Sequence, residues 1–231
     1  MDRLRGRLDP EARFGLRFTL LAVSVLLVAV PFGLLLEQVT DKGPFTRVDT
    51  SAANHLHRWV HGRPWLVTLL RIVTSLGATW WLTIVVAAAG VALLRAHRVR
   101  PAVFLIATGV TGGLLNQIVK ALVGRPRPSL LEPVATASGK SFPSGHTMGA
   151  TVVYGALLVV FVPGMTTQVR RVVIAAAVVL VAAIGFSRLA LGVHYISDVL
   201  AGFALALAWL AAATAAFRIW RTERVEEGEP P

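Results

Sequence analysis

What most constrains this chain is an alternation of apolar runs, each long enough to cross a bilayer, with short arginine-rich segments. The runs fall at residues 18–36, 65–94 (interrupted near Gly77), 102–123, 142–162, 172–184 continuing toward 191, and 194–217. About 20 apolar residues suffice to span the hydrocarbon layer as a helix. Strict alternation across six spans puts Arg3 to Arg17, Arg95 to Arg100, Arg170 with Arg171, and Arg218 to Arg224 on one side. Arginine marks the cytoplasmic side, so span count and charge bias agree. The expected fold is all-α: a polytopic membrane protein of six transmembrane helices with both termini in the cytoplasm.

The expected layout is a basic cytoplasmic segment over 1–17, a six-helix membrane domain over 18–217 and a cytoplasmic tail over 218–231. The first run has the basic start and apolar core of a signal peptide. It is long and no small-residue cleavage site follows, so it reads as a retained anchor. The outer loop 37–64 is polar, and Val48 to Val60 reads as a short helix on the membrane with Leu56, Trp59 and Val60 as its apolar side. His55, His57 and His61 lie in it. His57 and His61 have the spacing of a metal pair, but no nearby carboxylate completes a site, so they read as a wet interfacial face without a ligand. Trp59, Trp65, Trp80, Trp81 and Trp220 read as interface anchors. Gly109, Gly112 and Gly113 read as points of close helix packing.

Composition supports a lipid solvent. The chain is 55% hydrophobic and 15% charged, where a soluble domain carries about 25% charged residues. Its net charge of +11, from 23 Lys and Arg against 12 Asp and Glu, points to cytoplasmic loops and anionic head groups. No nucleic-acid motif argues for another partner. Cysteine is absent, which excludes disulfides, thiolate catalysis and cysteine-ligated metals.

Against this background a few ionisable residues stand where lipid makes charge costly. His194 and Asp198 are four apart, one helical turn, so the carboxylate can hold one ring nitrogen and leave the other as base or nucleophile. Lys120, Arg127 and Arg188 are three cations on the same expected outer face, suited to phosphate. Pro143-Ser144-Gly145-His146 opens a span. Its free N–H groups favour an anion, Gly145 permits close approach and the Ser144 hydroxyl can donate. Two histidines then flank one anion: a phosphoryl-transfer site that calls for neither metal nor cofactor.

These residues form three spaced motifs: Lys120 with Arg127-Pro128, Pro143-Ser144-Gly145-His146, and Ser187-Arg188 with His194 and Asp198. Together they resemble the PAP2 (type 2 phosphatidic acid phosphatase) superfamily, which shares its core with vanadium haloperoxidases. The resemblance implies that His194 attacks phosphorus, oriented by Asp198, to give a phosphohistidine. It implies that His146 serves as acid and then base, while Lys120, Arg127, Ser144, Gly145 and Arg188 hold the phosphate oxygens. Ser187 is expected to pack without touching substrate. Arg125 and Lys140 lie in the same loop outside the motifs, and head-group contact is an even choice for each. The implied activity is a bacterial membrane lipid phosphatase acting at the outer leaflet. An undecaprenyl-type diphosphate is favoured, with phosphatidylglycerophosphate, phosphatidate or transfer to another alcohol as alternatives. The rival from another class is a lipid-phosphate binding or transport protein without turnover.

Overall fold

The structure is a computed structural model; it describes residues 30, 32–37, 39, 45–130 and 134–226, with backbone alone for 45 and 218–226. The described residues contain no strand. The helices from residue 45 onward are α1 (Phe45–Val60), α2 (Pro64–Ser75), α3 (Thr79–Arg95), α4 (Val99–Val123), α5 (Gly145–Phe161), α6 (Thr167–Ala190) and α7 (Ile196–Glu226), with a 3-10 turn at Val162–Gly164.

Local chemistry sets several boundaries. Pro64 opens α2, where its missing N–H is no loss. Gly124 closes α4 in the left-handed conformation, φ 65°, and its N–H caps the Lys120 carbonyl. Pro126 and Pro128 follow at once in non-helical chain, and Ser144 is the residue before α5.

Among the described residues four helices are long and apolar enough to cross a membrane: Val99–Val123, Gly145–Gly164 (counting the 3-10 turn), Thr167–Ala190 and Ile196–Phe217. Together α2 and α3 make a fifth candidate, bent by 41° at the break. The expected first span, 18–36, lies mostly outside the described residues. Outward faces carry Leu122 at 80%, Val179 at 67% and Ile72 at 60% exposure, side chains that only lipid or a partner would cover.

The bundle centres on α5, which packs against α4, α7, α6 and α3. Its inward positions are small: Ala150 and Ala156 are fully buried, as are Ala201 and Ala206 of α7. Small residues let helices approach where no water-driven force pulls them together. At Gly202 of α7 an added Cβ would stand 3.0 Å from the Ser144 carbonyl, so this glycine brings α7 against the start of α5. Of the three glycines of α4, Gly112 is the tight one, its Cβ position 3.2 Å from Trp209 and Val152; Gly113 meets nothing within 4 Å.

Three expectations need correction. Arg170 and Arg171 lie in the first turns of α6, not in a loop, because the helix already starts at Thr167. Helix α7 runs on to Glu226, so its backbone carries the arginines expected in a tail. Val60, expected on the membrane side of α1, turns inward: Asp49, Ala53, His57 and Val60 are the buried positions of this helix, while Trp59 is 46% exposed. The spacing of four, four and three is one helical stripe. Packing on α6 and α7 chose that stripe, and its Asp49 has a partner described below.

Candidate active site

One cavity of about 1380 Å³ gathers the residues from distant parts of the chain: Lys120 of α4, Arg127, the Thr136–Lys140 loop stretch, Gly145 and His146 of α5, Arg188 of α6, and His194. Its described lining contains four cations, Lys120, Arg127, Lys140 and Arg188, and no carboxylate. A lining charged in this way is complementary to an anion.

His194 sits in the turn between α6 and α7 and is 2% exposed. Its Nδ1 lies 3.2 Å from Asp198 Oδ2, and its Nε2 lies 3.1 Å from Arg127 Nη1. A guanidinium can only donate, so Nε2 must be the accepting nitrogen and Nδ1 carries the proton toward Asp198. The tautomer is thus fixed from both sides, with the lone pair on Nε2 facing the cavity. Burial pushes the imidazole pKa down to about 4, against the opposing pull of Asp198. His194 is therefore neutral at pH 7, as a nucleophile or base requires.

Arg127 is held rigidly. Its Nε donates to the Gly139 carbonyl at 3.1 Å, Nη2 to Ser138 at 2.9 Å and Nη1 to Val193 at 2.8 Å. Lys120 Nζ donates to the Lys140 carbonyl at 2.8 Å. The Ser138, Gly139 and Lys140 carbonyls thus hold both cations at the cavity lining. Arg188, buried in α6, has Nη1 on the Thr74 hydroxyl of α2 at 3.0 Å. Its Nε is buried without a partner, a donor whose desolvation is uncompensated until an acceptor arrives.

At the start of α5 the first N–H groups have no intrahelical partner. Gly145 lines the cavity there, and a Cβ would come within 3.2 Å of Asn116 Oδ1. Ser144 is placed differently from the other site residues. It is fully buried, its N–H donates to the Asp198 carbonyl at 2.9 Å, and its hydroxyl accepts from Thr147 at 3.0 Å. The hydroxyl expected to reach the anion is here turned into the protein, behind the cavity wall. Ser187 is buried and bonds the Ile184 carbonyl at 2.6 Å, away from any substrate.

Arg125 corrects the sequence reading. It is 8% exposed, with Nη1 on Asp198 Oδ1 at 2.6 Å and Nη2 on Asp49 Oδ2 at 2.8 Å. Although burial opposes its charge, Asp198 and Asp49 outweigh that and raise its pKa. Head-group contact is excluded for it because both carboxylates already occupy its donors. Lys140 stays exposed at the cavity mouth. Trp81 also differs from a simple anchor, donating to the Tyr154 hydroxyl at 3.1 Å. Asp49 and Thr74 were missed by sequence reasoning. For Asp49 the available signal was the Asp49–Ala53–His57 stripe; for Thr74, which shares α2 with the hydroxyls of Thr68 and Ser75, there was none. His57 and His61 pack edge to face with ring centres 5.4 Å apart, and no group of three or more His, Cys, Asp or Glu that could hold a metal occurs among the described residues.

A helical membrane bundle whose cavity joins two imidazoles to uncompensated cations is a phosphate-handling enzyme. Residues 100–222 match the PAP2 superfamily. The chain is 34% identical to phosphatidylglycerophosphatase B of Bacillus subtilis (strain 168) over 148 residues, 63% of this chain and 72% of that protein. It is 35% identical to lipid A 1-phosphatase of Rhizobium johnstonii over 121 residues, 48% of this chain and 46% of that protein, so it spans about half of that relative. A crystal structure of a transmembrane PAP2 type phosphatidylglycerolphosphate phosphatase from Bacillus subtilis superposes with a TM-score of 0.78 at 25% identity, covering 85% of this chain and 96% of that one. The chain belongs to the PAP2 superfamily and is a membrane lipid phosphatase.

Proposed function

We propose that this phosphatase hydrolyses the phosphomonoester of a glycerophospholipid, phosphatidylglycerophosphate foremost, through a phosphohistidine on His194. The observation that carries the reading is the cavity itself. One end holds His146, His194, Lys120, Arg127 and Arg188; the other is walled by Val86, Ala87, Ile106 and Val110 of α3 and α4. A lipid phosphate fits both ends at once. Between them, Thr79, Thr83, Asn116 and Gln117 line the wall and offer partners to glycerol and ester oxygens, which a prenyl chain lacks.

In this mechanism the phosphate takes the Arg127 hydrogen bond from His194 Nε2, freeing the lone pair to attack phosphorus in line. Asp198 keeps the imidazole oriented and stabilises the cationic ring that forms. His146 protonates the departing lipid oxygen, then removes a proton from the water that cleaves the phosphorus–nitrogen bond, and orthophosphate leaves. Lys120, Arg127, Arg188 and the Gly145 N–H hold the equatorial oxygens as charge spreads over them; Ser144 contributes through its backbone. Six spans over 18–217, both termini in the cytoplasm and a site at the outer leaflet of a bacterial plasma membrane complete the reading.

The test is phosphate release by detergent-purified protein in EDTA, with phosphatidylglycerophosphate, phosphatidate and the undecaprenyl diphosphate favoured from sequence as substrates and His194→Ala as blank. The expected result is fastest release from phosphatidylglycerophosphate, inhibition by vanadate, and a fall of at least about 10⁴-fold in the variant. Release from the prenyl diphosphate alone would overturn the substrate. Release from none would overturn turnover altogether and favour a binding or transport role.

A further inference from the structure

Behind the cavity lies a second layer of charge that reaches outside the matched family region. Asp49 of α1 is 1% exposed. Its Oδ1 accepts the Ser197 N–H at 3.0 Å, at the start of α7, and its Oδ2 accepts Arg125 Nη2 at 2.8 Å together with the Ser197 hydroxyl. Arg125, with the Tyr195 ring 4.1 Å from its guanidinium carbon, turns Nη1 to Asp198 Oδ1. The other oxygen of Asp198 serves His194 Nδ1 and the Tyr195 N–H. The chain of contacts runs Asp49, Arg125, Asp198, His194.

We propose that Asp49 is a positioning residue for the reaction, acting through Arg125 to keep the Asp198 carboxylate available to His194. Physical accounting of charge gives the reason. Arg125 alone would neutralise Asp198 and weaken its hold on the imidazole. With Asp49 on the far side, one guanidinium is shared between two carboxylates, and one unit of negative charge remains beside His194. That charge opposes the positive charge on the ring when the phosphorus–nitrogen bond forms. A buried pair stripped of one partner is also strongly destabilised, so α1 is fixed to α7 by the same contacts. Helix α1 is thereby part of the active-site framework and more than a surface strap.

This inference rests on the reading of His194 as nucleophile, and the experiment separates the two. Asp49→Asn keeps the shape and can still accept the Ser197 N–H, while it removes the charge and the acceptor that Arg125 Nη2 uses. In the phosphate-release assay kcat is expected to fall about tenfold, the range for residues acting through a network, with KM unchanged. The double variant D49N/R125Q removes a cation as well and restores one negative charge beside His194. It is expected to recover kcat toward the wild-type value despite carrying two buried substitutions. A D49N enzyme with wild-type kcat, or a double variant no faster than D49N, overturns the proposal, the latter by showing that only packing was lost. His194→Ala runs alongside: if it retains activity, the nucleophile reading itself fails, whatever Asp49 does.

Discussion

At the scale of single residues, His194 is governed by what surrounds it on each nitrogen. Asp198 takes Nδ1 and Arg127 caps Nε2, so His194 is held in the tautomer that the proposed attack needs, with a hydrogen bond on Nε2 that a phosphate would have to displace. Its pKa, lowered by burial to about 4 from 6.5, gives a directional expectation. Protonation abolishes attack, so on the acid side kcat/KM should stay level through pH 6.5 and fall only as pH nears the folded value. The same shift acts on stability. Between the two pKa values the unfolded chain binds a proton that the folded chain refuses, so His194 costs stability as pH falls through that window. A pH–rate profile and thermal melts across pH 7.5–4 in detergent would check both; an acid limb near 6.5 would contradict the buried, neutral imidazole.

At the scale of elements, helices separated in sequence hold one another's functional groups. The clearest case is α2, whose Thr74 hydroxyl holds Arg188 of α6, while Gly77 at the bend leaves room for Ile184 of that helix. Val replaces Thr with little change in volume, so Thr74→Val should fold normally yet release the guanidinium from its fixed position. A hydrogen bond to a charged group contributes about 1.5–3 kcal/mol, and only part of that would be lost from substrate binding. The expected outcome is an increase of about tenfold in KM with kcat little changed, read from substrate titrations. Unchanged KM would mean that Arg188 is placed by packing alone.

At the scale of the whole molecule, the described residues supply four plain spans and one bent pair; the proposed six-span arrangement adds the segment at 18–36. The chain lacks cysteine, so single cysteines report sidedness without background. Thr136→Cys at the cavity mouth should react with an impermeant maleimide added to intact cells. His97→Cys, between α3 and α4, should react only after permeabilisation. The reverse pattern would place the cavity on the cytoplasmic side.

Much of this was legible in the sequence because membranes and phosphate both impose strong local rules. Apolar runs with arginine between them specify helices and their order, and the spacing of His194 and Asp198 specifies a shared turn. Lys120, Arg127, His146 and Arg188 were found because charge amid apolar runs is conspicuous. What sequence left open were relations between helices. Arg125 and Arg127 sit two residues apart in one loop and look equivalent, yet one faces the cavity and the other is locked between Asp49 and Asp198. Ser144 looks like a phosphate donor but turns to Thr147, and Asp49 lay in a polar segment that read as a wet interfacial face. Sequence by itself determined where most of the helices fall and where ionisable groups interrupt the apolar runs, since those follow from neighbours along the chain. Only the tertiary structure decided which charge meets which, because a buried ion pair is a contest among partners brought together by packing, and packing is not written in spacing.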